Sequence, residues 1–251
     1  MIVQLFPTCL VNEFRPDVGM AVVRVLERAG CEVALPEGLT CCGQPAFNAG
    51  FHDEARQVAR HTIGVLGATD GPIVIPSGSC CDMLVHQSLE LFRDDAEMAD
   101  KARKVADRCR EFSQLVAERL RANAAPTAAG TARRAPASTR VAYHPSCHLQ
   151  RGLGVTREPR ELVGSVTTAE SVKFDEQDEC CGFGGLFSIK NAEISAAMMD
   201  RKLAAIEASG ADRLVSCDLG CLMHLEGGLR RRGAAIKVQH LAELLDEAAT
   251  P

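Results

Sequence analysis

Two Cys-Cys-Gly triplets, Cys41-Cys42-Gly43 and Cys180-Cys181-Gly182, are the residues of this chain best suited to chemistry. Each has a lone cysteine on either side at nearly the same distance. Cys9 precedes the first triplet by 31 intervening residues, and Cys80 follows its cysteine pair after 37. Cys147 precedes the second by 32, and Cys221 follows after 39. Eight thiols thus form two matching sets of four. Packing does not explain such a duplication, because the chemistry of a free cysteine usually decides its placement.

Three kinds of chemistry are open to such sets: disulfides, structural zinc and iron–sulfur clusters. Adjacent cysteines are strained disulfide partners, and twelve cysteines in a chain expected in a reducing compartment point to metal or redox chemistry instead. Structural zinc usually draws on tight Cys-x(2–4)-Cys knuckles, which these spread cysteines lack; a zinc-stabilised scaffold stays as the non-redox alternative. Soft thiolate suits iron–sulfur clusters, which commonly take four cysteines each. Adjacent cysteines can hold two irons of one cluster while the distant pair closes over the other side. The glycine lets the backbone turn sharply and present N–H groups to sulfur.

The elements that must position these thiols repeat as well. Phe6-Pro7-Thr8-Cys9-Leu10 answers His144-Pro145-Ser146-Cys147-His148. After each triplet comes an amphipathic helix, then a short strand, then the last cysteine of the set. The first helix spans about His52–Leu66, with Ala55, Val58, Ala59, Thr62, Val65 and Leu66 on one face. The second spans about Asn191–Ala208, with Ala192, Ala196, Met199, Leu203 and Ile206 inward. Strands fit Ile2–Phe6, Cys31–Leu35, Ile73–Pro76, Arg140–Tyr143, Val172–Phe174 and Arg213–Ser216, with helices between them, such as Asp17–Ala29. Alternation of strand and helix predicts an α/β fold of two pseudo-symmetric halves with mostly parallel sheets. Cys9, Cys80, Cys147 and Cys221 then fall in strand-to-helix loops, at the carboxyl edge where open α/β sheets bind ligands. A long helix over about Ala96–Ala122 is expected to close the first half, with Cys109 on its buried stripe. Residues 123–139, rich in Ala, Pro and Thr, are expected to be a flexible linker, solvated in part by Arg133 and Arg134, between halves at 1–122 and 140–251.

Composition narrows the function classes. At 251 residues the chain suits one or two domains, and 46% hydrophobic residues suffice for a core. A net charge of -5 argues against nucleic acid as the main partner. The sequence contains no apolar run of about 18 residues and no secretory signal pattern, so a cytoplasmic protein without a membrane span is expected.

The duplicated pattern, with Leu5-Phe6-Pro7-Thr8-Cys9, Leu39-Thr40-Cys41-Cys42-Gly43-Gln44-Pro45, Pro76-Ser77-Gly78-Ser79-Cys80, Cys180-Cys181-Gly182-Phe183-Gly184-Gly185 and Gly220-Cys221-Leu222-Met223, resembles the CCG-domain iron–sulfur proteins along essentially the whole chain. That family includes a component of heterodisulfide reductase and the iron–sulfur subunit of glycolate oxidase. The resemblance implies one or two clusters of the 4Fe-4S kind. Cys9, Cys41, Cys42 and Cys80 match the first motif, and Cys147, Cys180, Cys181 and Cys221 the second. It further implies an electron-transferring component of a system that oxidises L-lactate to pyruvate with two further proteins, at least one of them iron–sulfur. A glycolate-type or heterodisulfide-type role is the neighbouring alternative. The wider motif ends in Cys-x-x-Cys, whereas here the halves end in Cys80-Cys81 and Cys217-Asp218-Leu219-Gly220-Cys221. Cys81 and Cys217 are therefore possible extra ligands, but more simply spare thiols.

No glycine-rich dinucleotide loop or P-loop pattern is present, which favours a subunit that exchanges electrons with other proteins. His144 and His148 flank Cys147, and His224 follows Cys221 by three. Each could tune a cluster or move a proton, though local packing is the simpler role. Arg230, Arg231 and Arg232 suit a solvated surface. Cys31, opening a strand, suits the core.

Overall fold

The computed structural model describes residues 1–123 and 139–249; the expected linker, Arg133 and Arg134 included, lies outside them apart from its end residues. In the first half, strands β1 (Ile2–Leu5), β2 (Glu32–Ala34), β3 (Ile73–Ile75) and β4 (Cys109–Glu111) stand in the order β2-β1-β3-β4. In the second, β5 (Thr139–Tyr143), β6 (Ala169–Val172), β7 (Arg213–Ser216) and β8 (Lys237–His240) repeat that order as β6-β5-β7-β8. Every neighbouring pair is parallel. Ile73, Val74 and Ile75 of β3 are wholly buried, as suits a central strand covered on both faces.

Helices link the strands. After β1 come α1 (Cys9–Phe14) and α2 (Pro16–Arg28); after β2, α3 (Gln44–Asn48) and α4 (His52–Gly67). After β3 come α5 (Gly78–Asp82), a π-helical turn (Met83–Gln87), α6 (Ser88–Leu91) and α7 (Ala96–Ala106); α8 (Phe112–Asn123) follows β4. In the second half a π-helical turn (His148–Gly152) and α9 (Glu158–Ser165) follow β5, and α10 (Phe187–Lys190) and α11 (Ala192–Ala208) follow β6. Helix α12 (Leu219–Arg232) follows β7 and α13 (Leu241–Ala248) follows β8. Local sequence sets these ends. Pro16 opens α2, the Asp95 carboxylate accepts from the Met98 N–H at 3.1 Å to cap α7, and His240 with Glu243 forms a capping box on α13.

Three expectations need correction. The long helix over Ala96–Ala122 is broken by β4, which puts buried Cys109 on a strand paired with Ile73. Its apolar residues are spaced for a helix, but the open edge of β3 takes the segment as a strand. Strand β6 ends at Val172, short of the expected Val172–Phe174, and β8 forms although three residues of Lys-Val-Gln-His are polar and it carries no strand pattern. Cys9, Cys80 and Cys221 lie not in loops but in the first turn of α1, α5 and α12, and Cys147 immediately precedes the π-helical turn.

The halves pack about a pseudo-twofold axis. Helix α13 lies on α2, and α8 lies on the equivalent α9. Arg24 and Arg28 pair with Asp246 at 2.6 and 2.8 Å across the first contact, and Arg121 with Glu161 across the second. One core cluster takes Val3, Leu5, Val22 and Phe112 from the first half together with Val141, Tyr143, Leu162 and Val215 from the second. Near the axis, the N-cap residues of α5 and α12 meet: Ser77 Oγ donates to Asp218 Oδ2 at 3.1 Å, and the Ser79 N–H donates to the same oxygen at 3.0 Å. No helix among the described residues is long and apolar enough to cross a membrane.

Candidate functional site

In the order β2-β1-β3-β4 the chain reverses direction between β1 and β3, and a crevice opens beyond the carboxyl ends of strands at such a point. Cys9 and Cys80 follow those two strands, while Cys41 and Cys42 come from the segment after β2. The second half repeats the placement with Cys147 after β5, Cys221 after β7, and Cys180 and Cys181 after β6. Each set is thus assembled by topology, although its members are far apart in sequence.

In the first set the Cys9 and Cys41 sulfurs are 3.8 Å apart, and Cys42 is within hydrogen-bonding reach of both Cys41 and Cys80. In the second, the Cys181 and Cys221 sulfurs are 3.2 Å apart, and Cys180 is in reach of Cys147 and Cys181. The glycines do what their position requires. Gly43 (φ 93°) and Gly182 (φ 90°) turn the backbone so that their N–H groups point at Cys41 and Cys180 Sγ, at 3.5 and 3.4 Å. A β-carbon on Gly43 would lie 3.1 Å from the Ala55 carbonyl, and one on Gly182 only 2.6 Å from the Ser195 carbonyl. Thr8, just before Cys9, is held at φ 69° and ψ 150°, a region that costs a non-glycine residue about 1–3 kcal/mol.

The thiols of each set are electrically unlike. Donation from Cys42 and Cys9, and from the Gly43 N–H, pulls the Cys41 thiol far below its ordinary value. Cys147, Cys181 and Gly182 do the same for Cys180. Cys42 and Cys181 are pushed up, by those neighbours and by burial. Within each set one thiol is thus held low and its buried neighbour high. All twelve cysteines are free thiols. Two all-sulfur donor sets with backbone N–H groups aimed at sulfur are the chemistry an iron–sulfur cluster requires, and the residues present fit one in each half.

The two remaining candidate thiols have neighbours of their own. Cys217 Sγ lies 3.7 Å from the Tyr143 hydroxyl, and its thiol is pushed up by burial and by Glu111. Cys81 is pushed up by burial, Cys109 and Glu111. Cys31 is buried, as expected.

The histidines divide. His144 is wholly buried, and neither ring nitrogen has a hydrogen-bond partner. One ring nitrogen and the sulfurs of Cys181 and Cys221 all lie within 4.8 Å of one another. Burial and the nearby Lys202 charge push His144 down to about 3, so the ring is neutral. His148 instead joins the halves: its Nδ1 is 2.7 Å from Asp82 Oδ2 and its Nε2 3.1 Å from Gln44 Nε2. That carboxylate raises His148. Burial works to raise Asp82, but His148 and His86 outweigh it and hold it low. His224 packs against Phe183 at 5.9 Å, and its Nε2 is 3.4 Å from Ser195 Oγ. Arg230 and Arg232 pair with Glu226, Asp200 and Glu207 on the surface.

Sequence reasoning alone passes over Lys202, Asp82, Asp218 and Glu111. Lys202 is 1% exposed; its ammonium donates to the Glu176 and Gln177 carbonyls at 2.8 and 3.1 Å and bears electrostatically on Cys180, Cys181 and Cys221. Its place among Ser195, Met199 and Ile206, at spacings of four, three and four, could have marked it. Asp218 before a helix had the form of an N-cap. Asp82 has local partners in His86 and Gln87 and Glu111 in Ser113, but nothing in the sequence marks the distant partner His148 of Asp82 or the complete burial of Glu111.

The family model described as Cysteine-rich domain (CCG) matches residues 3–85 and again 141–226. The chain is similar to Lactate utilization protein A of Halalkalibacterium halodurans, with 41% identity over 246 residues, covering 98% of this chain and 97% of that one. It is similar to the protein of the same name from Bacillus subtilis, with 41% identity over 98% of this chain and 99% of that one. A solved structure titled as a hypothetical protein from Helicobacter pylori shares the fold, with a TM-score of 0.62 and 11% identity, covering 100% of this chain and 49% of that chain.

Proposed function

The chain belongs to the cysteine-rich CCG family, among the relatives named lactate utilization protein A, and from that premise we propose that it is the iron–sulfur component of a multi-protein system oxidising L-lactate to pyruvate. The observation that carries this reading is the placement of two four-cysteine sets at equivalent reversal points of two equivalent sheets. Cys9, Cys41, Cys42 and Cys80 would hold one cluster, and Cys147, Cys180, Cys181 and Cys221 the other. A bound cluster supplies one-electron acceptor and donor chemistry. Lactate gives up two electrons and two protons in becoming pyruvate, which matches two one-electron sites. The protein's own part is to hold thiolates: Gly43 and Gly182 stabilise the negative sulfur of Cys41 and Cys180, and burial of Cys42, Cys80, Cys181 and Cys221 excludes water. The name shared by the relatives favours lactate over glycolate, and the partners would be two further proteins of that system.

The test is the iron, zinc and acid-labile sulfide content of anaerobically purified protein. Iron and sulfide near four or eight per chain, lost stepwise when Cys41/Cys42 or Cys180/Cys181 is replaced by serine, supports the reading. Zinc without sulfide refutes it. That rival has one observation of its own, since His144, Cys181 and Cys221 could together grip a single ion.

A further inference from the structure

Resting on the reading that each set holds a cluster, we propose that the two sets are chemically unlike. The second takes His144 as an additional nitrogen donor and, beside the Lys202 ammonium, holds its cluster at the more positive reduction potential. The repeat itself supplies the comparison. Phe6 and His144 occupy the same place, each with its backbone N–H donated to the third strand of its half, Phe6 to Val74 at 2.9 Å and His144 to Val215 at 2.8 Å. Phe6 is wholly buried, so the fold fills this place without a polar group when none is needed.

His144 is equally buried, yet both of its ring nitrogens lack a partner. An orphaned buried donor or acceptor costs about 1–3 kcal/mol. A ring nitrogen and the sulfurs of Cys181 and Cys221 lie within 4.8 Å of one another. A cluster on those sulfurs brings the ring its missing partner.

Lys202 is the second difference. Gly43 packs against the Ala55 carbonyl and the Ala59 amide, and Gly182 against the Ser195 carbonyl and the Met199 amide. The helices are therefore in register, and Thr62 corresponds to Lys202. Thr62 spends its hydroxyl on the Cys41 carbonyl at 2.8 Å. Lys202 brings a buried charge, anchored on the Glu176 and Gln177 carbonyls and facing three thiols of its set. Adding an electron makes a cluster more negative, and a fixed positive charge in a poorly screened interior favours that reduced form.

The experiment uses two full-length proteins that each retain one set: C180S/C181S keeps the first, C41S/C42S the second. Iron and sulfide are counted first, and their absence refutes the cluster reading itself, and this inference with it. Each protein is then reduced by dithionite through mediators and followed by EPR. The second set should show the more positive midpoint. Replacing Lys202 with its first-half counterpart, Lys202→Thr, should lower that midpoint, seen as a roughly tenfold fall in the reduced-to-oxidised ratio at fixed potential, while His144→Phe should remove the histidine nitrogen coupling of the second set. Lys202→Arg should restore it. As a check independent of substitution, 15N-histidine labelling should change the nitrogen coupling in pulsed EPR of the second set and leave the first silent. Equal or reversed midpoints with both clusters present, or no nitrogen coupling in the second set, would overturn the proposal.

Discussion

Glu111 offers a sharp test of how the junction between the halves is held. It ends β4, is 0% exposed, and bears electrostatically on the thiols of Cys81 and Cys217, the latter 3.7 Å from the Tyr143 hydroxyl. Its Oε2 accepts from the Ser113 N–H at 2.8 Å and from the Ser113 hydroxyl, while Oε1 has no partner. Burial outweighs those bonds and pushes the carboxyl from 4.5 to about 8. The folded protein therefore binds this proton more tightly than the unfolded chain. The stabilising contribution is fully present below about pH 4.5 and is lost as pH rises through about 8. At about 1.4 kcal/mol per unit of difference, the loss between pH 6 and 8 is about 2 kcal/mol. Glu111→Gln keeps the shape and the acceptor but cannot ionise. Urea unfolding of both proteins at the two pH values isolates this group as a double difference. The variant should gain about 2 kcal/mol on wild type from pH 6 to pH 8. A double difference below about 0.5 kcal/mol would mean that water or a cation reaches the carboxyl, and the account of a dry junction would be wrong.

Three further outcomes follow from the geometry. Gly182→Ala should cost more than Gly43→Ala, because its β-carbon would meet the Ser195 carbonyl at 2.6 Å against 3.1 Å from the Ala55 carbonyl. Metal retention by the two variants after reconstitution reads the difference, and equal losses would contradict it. Gly78→Ala would place a β-carbon 2.6 Å from Leu149 Cβ and 2.8 Å from Ser146 Oγ, prising the halves apart. Overpacking of this kind costs about 1–3 kcal/mol, measurable in thermal unfolding, and an unchanged midpoint would show a looser seam than described. Replacing Cys81 and Cys217 with serine should leave iron and sulfide per chain unchanged, since both thiols face the Glu111 junction; loss of iron would make them ligands.

The sequence carried the parts of this protein that repeat. Eight cysteines at matched spacing identified the sets, and alternating strands and helices gave the parallel α/β halves. Periodicity misled at Cys109, where Val105, Cys109, Phe112 and Val116 suit a helix by spacing, and only the waiting edge of β3 makes a strand. The polar strand β8 was equally silent, because Gln239 is buried by partners that are not local, bonding to Arg213 and Glu247. What made the two sets unlike was invisible for a related reason. His144 was marked only by its place beside Cys147, with no sign that its ring is orphaned, and Lys202 looks like any helix lysine until the fold buries it beside sulfur.

Ser77 and Asp218 hold the same place in the two halves and bond to each other where those halves meet. In a homodimer built from either half, a residue so close to the symmetry axis would have to face its own copy. Two serines there would offer one weak hydrogen bond. Two aspartates would set like charges side by side out of water, and one would have to take up a proton to relieve them. Carrying both halves on one chain removes that obligation. The contact can be donor to acceptor, with the Asp218 carboxylate also capping α12 through the Gly220 N–H at 3.1 Å. The same freedom allows residues elsewhere in the pair to diverge, so that one scaffold can present two different environments at a fixed separation.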